Sequence, residues 1–178
     1  MSESENKKDK ISGLGEFGLI RHLTGNIRLS RKSSVKGIGD DSAVLDFSGK
    51  QTLVTNDLML EGIHFDLMYT PLKHLGYKAV VINIMDILAM NGTPTQVVVS
   101  LGFSSRFGLE YIEELYEGIK LAGEKYQVDI VGGDISSSLT GMTISITAIG
   151  QADPGKVVYR NTAQVNDIIC TTGDLGAA

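Results

Sequence analysis

One helix constrains what this 178-residue chain can fold into more than any other feature of the sequence. The segment Leu72–Met90 predicts a helix, and from Leu75 onward apolar residues occupy nearly every side of it. A helix without a broad polar face is buried against other elements. The apolar run Ala79–Met90 is too short to span a bilayer, and it contains Asn83 and Asp86. The sequence therefore predicts a soluble fold built around a buried helix.

Short strands and a second helix accompany this helix. Leu109–Tyr126 predicts an amphipathic helix, because its apolar residues recur at helical spacing. The predicted strands are Ser42–Phe47, Gln51–Thr55, Gln96–Phe103, Val128–Val131 and the half-buried Met142–Ile149, and the first two form a hairpin. Val157–Arg160 and Ile168–Thr172 are short strands or extended segments. This order indicates one α+β domain with a mostly antiparallel sheet and two long helices.

The first 36 residues carry weaker signals. Met1–Lys10 is polar and of mixed charge, which predicts disorder. Gly13–Gly18 matches G-x-G-x-x-G, but no strand precedes it, so we reject a dinucleotide fingerprint. Glu16–Leu23 predicts a short helix, and the basic, serine-rich Arg28–Lys36 predicts a solvated loop.

Composition excludes several classes of protein. The net charge of −5 argues against a nucleic-acid binder and against an anionic-membrane binder. Metal cations can still bridge phosphates to an acidic protein. Cys170 is the only cysteine, so no intrachain disulfide forms, and a reducing, cytoplasmic location fits. Cys170 lies in an apolar stretch and is predicted to be buried, and the N-terminus lacks an apolar signal-peptide core.

Acidic residues occur at comparable places in the strand and helix pattern. Asp40 and Asp41 precede a strand, Asp57 follows one, Asp86 lies within the apolar helix, and Asp134 follows a strand and two glycines. A buried carboxylate costs several kcal/mol unless it is paired or bound to a cation. Asp86 therefore binds a metal ion, bonds a nearby backbone amide, or lies on a hydrated edge of the helix.

The types of candidate ligand indicate the chemistry. Oxygen ligands without paired histidine or cysteine favour magnesium over zinc, and Asn83, one turn before Asp86, could ligate or orient. Several carboxylates without an obvious nucleophile favour phosphoryl transfer by metal clamping. Gly132-Gly133-Asp134 can offer backbone amides to an anion, although tight turns use the same residues. The chain has no Walker A motif and no kinase H-R-D or D-F-G motif, so a nucleotide site is of another type.

Two further residues have a functional and a structural interpretation. His64 could bind a substrate phosphate, or it is a structural histidine of a loop. Arg160 could pair with a nucleotide phosphate, or it is a solvated residue at a strand end. His22 and His74 have ordinary helix-surface contexts, and we assign them no role.

The motifs, taken together, resemble a known family. They are Glu16-Phe17-x-Leu19-Ile20, Gly37-Ile38-Gly39-Asp40-Asp41-x-Ala43-Val44, Asp57 with Gly62-x-His64-Phe65, Lys78-Ala79 with Asn83-x-x-Asp86-x-x-Ala89-Met90, Gly132-Gly133-Asp134 and Arg160. Their order is similar to that in thiamine-monophosphate kinases (ThiL), members of the AIR synthase (PurM)-like superfamily. AIR synthetase and the hydrogenase-maturation protein HypE share the ATP-binding architecture, but the Glu-Phe opening and the Gly-x-His-Phe loop resemble ThiL more closely.

The resemblance implies a reaction, a fold and a set of site residues. ATP and thiamine monophosphate would give thiamine diphosphate and ADP by in-line transfer. The implied magnesium ligands are Asp41, Thr55, Asn56, Asp57, Asp86 and Asp134, the implied ATP contacts are Gly133, Asp134 and Arg160, and His64 would contact the thiamine phosphate. The fold would be that of the PurM N-terminal domain, with the sheet completed across a homodimer. Residues 1–12 would form a disordered tail and residues 13–178 the ATP-binding domain.

Three departures from the family pattern stand beside these expectations. Asn56 and Ile135 occupy positions where the family usually has threonine. The family also continues into a second α/β domain with further acidic ligands, and because this sequence stops at the threshold of that domain, we expect it to be a fragment. Two alternatives follow: another PurM-like ATP-dependent enzyme, or a non-catalytic module that binds nucleotide and dimerises.

Overall fold

The computed structural model describes residues 34–36, 39–40, 43–47, 49–104 and 107–173. Within these ranges the chain forms six strands and two helices. The strands are β1 (Ser34–Lys36), β2 (Ala43–Phe47), β3 (Lys50–Leu60), β4 (Thr93–Phe103), β5 (Asp129–Ser137) and β6 (Thr143–Ala152). The helices are α1 (Leu72–Ala89) and α2 (Leu109–Tyr126), and a 3-10 turn spans Arg160–Thr162.

The six strands form one sheet in the order β1-β2-β3-β6-β4-β5. Strands β4 and β5 are parallel, and every other neighbouring pair is antiparallel. The parallel pair is joined through α2, because parallel neighbours need a crossover connection. The predicted α+β class, with a mostly antiparallel sheet and two long helices, is confirmed.

Helix α1 covers the centre of this sheet. It packs on β3, β4 and β6 on one side and on α2 on another. Strand β6 alternates buried and half-buried residues, as predicted, and its Ile144, Ile146 and Ala148 are buried in the core with Val99 of β4. The apolar face of β6 is therefore covered within the chain.

The predicted burial of α1 is confirmed where it faces the sheet and α2, but not over the rest of its surface. Leu75, Val80 and Ile84 are buried, but Met85 is 56% exposed and Leu88 is 46% exposed. The sheet and α2 cover two sides of the helix, and Met85 and Leu88 lie outside these two contacts.

Several strand boundaries differ from the predictions. The hairpin of β2 and β3 is confirmed, but β3 continues beyond Thr55 to Leu60. Strand β5 continues through Gly132-Gly133-Asp134 instead of ending there, and Ser34–Lys36 forms a strand instead of part of a loop. Local residue preference does not reveal the partner strands that extend these elements. Strand β3 pairs with β6, β5 with β4, and β1 with β2.

The described part of the C-terminal segment contains no strand. Of the two predicted alternatives for Val157–Arg160 and Ile168–Thr172, a strand is not observed in either range, and Tyr159 has extended backbone before the 3-10 turn begins at Arg160. Cys170 is exposed, so its predicted burial is wrong, because the segment around it does not pack into the core. The predicted tail, the predicted helix Glu16–Leu23 and the candidate ligand Asp41 lie outside the described residues.

The two helices approach each other through glycines. A Cβ atom added at Gly76 of α1 would lie 2.0 Å from the carbonyl oxygen of Leu115, and one at Gly118 of α2 would lie 1.9 Å from that of Lys73. Both distances are far below van der Waals contact, and the atoms met are backbone atoms that a side-chain rotation cannot move. The helices therefore pack at a separation that only glycine permits.

We expect Gly118→Ala to lower the melting temperature of the protein. Alanine favours a helix over glycine by about 1 kcal/mol, but forcing the helices apart costs typically 1–3 kcal/mol and sometimes more. Thermal denaturation followed by circular dichroism measures the net effect. Gly132→Ala is the control, because its added Cβ would meet no atom within 4 Å. A Gly118→Ala protein as stable as the parent would contradict this packing.

Candidate functional site

Four polar residues lie where β3 passes beneath α1, and we call them the seam: Thr55, Asp57, Asn83 and Asp86. Thr55 is only 7% exposed, and its hydroxyl donates a hydrogen bond of 2.7 Å to Oδ2 of Asp86. The backbone N–H of Asp57 donates to Oδ1 of Asn83 at 3.0 Å. The seam thus joins a strand and a helix through polar contacts beside an apolar core.

The periodicities of the two elements explain this meeting. Alternate residues of a strand share one face, so Thr55 and Asp57 both face α1, between the buried Leu53 and Met59. Residues three apart in a helix lie on one face, which places Asn83 and Asp86 together.

Asn83 orients its neighbours. It is 1% exposed, its Nδ2 donates to the carbonyl oxygen of Ala79 at 3.0 Å, and its Oδ1 accepts from the N–H of Asp57. Each end of the amide is therefore engaged with backbone. Asn83 fixes the position of Asp57 relative to α1.

Asp86 lies at the half-buried edge of the seam. The Thr55 hydroxyl stabilises its carboxylate through a charge-assisted hydrogen bond. The structure describes a half-buried carboxylate that accepts a hydrogen bond from a side-chain hydroxyl, and metal binding by Asp86 stays a prediction.

The Asp57 carboxyl is perturbed by its surroundings. Burial raises its pKa above the ordinary value of 3.8, and the charge of nearby His64 opposes part of this shift. A carboxyl group whose pKa is raised on folding holds its proton more tightly in the folded chain. Its contribution to stability is complete below the unfolded value and is lost as the pH rises through the raised value.

A pH-dependent difference between the parent and Asp57→Asn follows. Asparagine has no charge to desolvate, so we expect the metal-free variant to melt slightly higher than the parent near neutral pH, by a few degrees at most. The difference should shrink as the pH falls through the raised pKa of Asp57. Thermal melts in EDTA across the acidic range test this. A difference that grows towards low pH would contradict the burial of this carboxyl.

His64 lies in the loop after β3. Its Nδ1 accepts a hydrogen bond of 3.0 Å from the backbone N–H of Leu60, so in the neutral ring the proton is on Nε2. The contact is the structural one considered for a loop histidine, and it leaves Nε2 as a donor. An open cavity of about 450 Å³ lies beside this loop, lined by Glu61, Ile63 and Thr140 among others.

Sequence reasoning missed Glu61. The backbone N–H of Glu61 donates to the carbonyl oxygen of Met142 at 2.9 Å. The backbone N–H of Met142 in turn donates to Oε2 of Glu61 at 2.7 Å. These two bonds tie the His64 loop to the start of β6. A glutamate at the end of a strand gives no sequence signal for this role.

Asn56 is directed away from the seam. Its Nδ2 donates to Ser145 Oγ at 3.0 Å and to Thr147 Oγ1 at 2.9 Å, on the face of the sheet opposite α1. The structure thus brings Thr55 and Asp57 together but places Asn56 among hydroxyl groups of β6.

Asp134 lies on another part of the sheet. It is exposed on the edge strand β5, in register with Ser100 of β4. Two strands, β6 and β4, separate β5 from β3. Since neighbouring strands lie about 4.8 Å apart, the backbones of Asp57 and Asp134 are separated by about 14 Å. One chain cannot place both carboxylates on the same ion.

Gly133 has a structural reason to be glycine. A Cβ atom at this position would lie 2.0 Å from the carbonyl oxygen of Val99 on the neighbouring strand. The close approach of β5 to β4 therefore excludes any side chain here. A contact with ATP stays a prediction.

Arg160 has an acidic partner that was not among the predicted site residues. Its Nε donates to Oδ1 of Asp40 at 3.2 Å, and its backbone N–H approaches the same oxygen at 3.4 Å. Lys36 donates from Nζ to Oδ2 of Asp40 at 2.7 Å. The sequence indicated Asp40 beside Asp41 as an acidic candidate, but it gave no sign that Arg160 is its partner.

The AIR synthase related protein, N-terminal domain family model matches residues 39–152, which include β2 to β6 and both helices. The chain belongs to this family. The superfamily inferred from the motifs is thereby confirmed.

The chain is also similar to proteins of known activity. It is 38% identical over 167 residues to the thiamine-monophosphate kinase of Bacillus subtilis (strain 168), which covers 93% of this chain and 51% of the relative. A solved structure described as AaThiL complexed with AMPPCP and TMP is 35% identical, with a TM-score of 0.75 over 86% of this chain and 46% of that one. A structure of HypE in complex with ATP is 19% identical, with a TM-score of 0.54 over 77% of this chain and 41% of that one, and shows the fold alone. This chain spans about half the length of the curated relatives that it matches.

The donor set of the seam fits magnesium. Thr55, Asp57 and Asp86 offer a hydroxyl and two carboxylates, and magnesium typically takes one or two protein carboxylates together with substrate phosphates. No cluster of three or more histidine, cysteine or acidic side chains occurs among the described residues, so a metal held entirely by such side chains is not indicated there. Of the helices in the described ranges, none is long and apolar enough to cross a membrane.

Proposed function

We propose that this chain is the nucleotide- and metal-binding half of a thiamine-monophosphate kinase. The enzyme transfers the terminal phosphoryl group of ATP to thiamine monophosphate and gives thiamine diphosphate and ADP. The seam is the observation that carries the proposal, because hydrogen bonds hold Asp86 by its carboxylate and Asp57 by its backbone in a chain that is 38% identical to such a kinase. The reducing cytoplasm is the proposed location.

Asp57 and Asp86 would hold magnesium, with Thr55 as a hydroxyl ligand. Magnesium supplies positive charge that bridges the phosphates of ATP and neutralises charge developing in transfer. Asn83 keeps Asp57 in place through the backbone, and the Thr55 hydroxyl keeps Asp86 in place. Phosphoryl transfer depends mostly on such positioning. Asp41, Asn56 and Asp134 remain proposed ligands.

His64 would contact thiamine monophosphate. With Nδ1 occupied by the Leu60 N–H, the ring offers an Nε2–H group, which suits a phosphate oxygen. The cavity between this loop and the turn before β6 would receive part of the substrate. Gly133 and Arg160 would contact ATP.

We further propose a homodimer that completes the site. The apolar face of β6 does not support it, because α1 covers that face. One support is the opposite face of the sheet, where the apolar Leu58 is 52% exposed. The other is the distance of about 14 Å between the backbones of Asp57 and Asp134. A second copy would bring Asp134 of the partner subunit to the nucleotide.

Light scattering tests the proposed homodimer. Leu58→Glu should shift a dimer towards monomer, because it places a charge on the exposed apolar face. A monomeric parent would refute the homodimer.

Product analysis of the full-length protein tests the reaction. Thiamine monophosphate, ATP and magnesium should give thiamine diphosphate, and EDTA should stop its formation. Formylglycinamidine ribonucleotide is the control substrate, because an AIR synthetase would consume it. Consumption of this compound with no thiamine diphosphate formed would overturn the proposal. The HypE comparison does not favour a second function, since it shows the fold alone.

A further inference from the structure

Four residues join the first strand to the segment that follows β6, and we call them the Asp40 cluster: Lys36, Asp40, Tyr159 and Arg160. The Asp40 side chain is only 1% exposed, although it is charged. Lys36 binds one of its carboxylate oxygens and Arg160 the other. The Lys36 ammonium also lies 4.3 Å from the centre of the Tyr159 ring.

Such a cluster fixes the arginine more firmly than a surface ion pair does. A buried carboxylate needs compensation from its partners, and moving Arg160 away would take a cationic partner from Asp40. Asp40 is bonded both to Nε of Arg160 and, more weakly, to its backbone N–H. Side chain and main chain of the arginine are thus held together.

The position of the arginine also suits a second anion. A guanidinium is a planar, permanently charged group that matches the geometry of phosphates, and Asp40 is bonded to it through Nε. The Arg160 side chain is 44% exposed, whereas the carboxylate beneath it is buried. An anionic ligand would therefore reach the guanidinium from the solvent side.

We propose that Asp40 is a positioning residue, which holds the Arg160 guanidinium in the orientation that receives the phosphates of a nucleotide. Asp40 itself touches no phosphate, since its carboxylate would repel one. Lys36 offsets the charge of Asp40 and is not part of the nucleotide contact. This inference rests on the proposed function, in which Arg160 contacts ATP.

A double-mutant cycle on the full-length protein tests the proposal. The affinity for AMPPCP with magnesium is measured by calorimetry for the parent, Asp40→Asn, Arg160→Gln and the double variant. We expect each single substitution to raise Kd about tenfold, the size of one lost charge-assisted contact. The double variant should bind within about threefold of Arg160→Gln, because Asp40 acts through the arginine.

Two further variants separate positioning from stability. Lys36→Met removes the positive charge beside the buried Asp40 carboxylate but leaves the contact between Asp40 and Arg160. It should therefore lower the melting temperature and change Kd by less than about threefold. Asp40→Glu keeps the charge while displacing the guanidinium, so it should weaken binding even where Asp40→Asn does not fold. Asp153→Asn, which removes the partner of Lys50 in an exposed ion pair, is the control and should leave Kd unchanged.

The outcomes distinguish this inference from the proposed function. If Arg160→Gln binds AMPPCP as the parent does, the assignment of Arg160 to the nucleotide fails, and the inference fails with it. If Arg160→Gln weakens binding but Asp40→Asn and Asp40→Glu do not, only the positioning role is overturned. A double variant weakened about a hundredfold would overturn it too, since Asp40 would then act independently of Arg160.

Discussion

Asp57→Asn in the full-length protein is expected to lower kcat for thiamine monophosphate by about 10²–10³-fold or more, while the fold stays intact. Removing one preorganised electrostatic contact to a transition state typically has an effect of this size. Asparagine keeps the shape of the side chain, and the backbone N–H that donates to Asn83 is unchanged. The variant therefore loses the charge that would hold magnesium against the transferred phosphoryl group, and little else.

Steady-state assays of thiamine diphosphate, with melting curves of the same samples, measure this effect. Asp46→Asn is the matched control, because Asp46 is an exposed aspartate on β2 and not one of the proposed ligands. It should keep the activity of the parent. Asp57→Asn activity within about threefold of the parent, less than one pKa unit's worth of free energy, would show that Asp57 does not hold the metal.

The sequence was most informative where the signal is local. The bounds of α2 were predicted as they are observed, because apolar residues recur at helical spacing along the segment, and Leu115, Ile119 and Ala122 among them are buried. The alternation of β6 was also predicted from a local pattern, because apolar and polar residues alternate along its sequence. The length of β3 and β5 was not, because it depends on register with strands distant in sequence.

The error in β3 also affected the prediction of the site. Ending the strand at Thr55 placed Asn56 and Asp57 together in a polar loop. In the observed strand, which continues to Leu60, neighbouring residues point to opposite faces, so Asn56 lies away from Asp57. The alternation rule would have separated them had the strand been extended.

The contact between Thr55 and Asp86 could not be read from the sequence. The two residues are 31 positions apart, and their meeting depends on how α1 crosses the sheet. An apolar helix carrying one aspartate indicated only that the carboxylate needs compensation. That the compensation is a buried hydroxyl on β3 is information from the tertiary structure.

Asp86→Asn is expected to weaken magnesium-dependent binding of AMPPCP by about 100-fold or more, with little change in the stability of the metal-free protein. The amide oxygen can still accept the Thr55 hydrogen bond, so the buried hydroxyl stays satisfied. The negative charge is lost, and hard cations such as magnesium depend on carboxylate oxygens. Binding and stability should therefore respond separately.

Asp86→Leu provides the contrast, because it removes the charge and the acceptor together. The buried Thr55 hydroxyl would lose its acceptor, which costs about 1–3 kcal/mol, while an apolar side chain avoids the desolvation of a charge. Calorimetry with magnesium and melting in EDTA separate these contributions, with Asp129→Asn on the edge strand as an exposed control. If Asp86→Asn binds AMPPCP within about threefold of the parent but melts as low as a destabilised Asp86→Leu, the aspartate serves the structure and not the metal. If both variants lose binding and only Asp86→Leu changes in stability, the seam holds the ion through the charge of Asp86 and keeps its own geometry through the oxygen that accepts from Thr55.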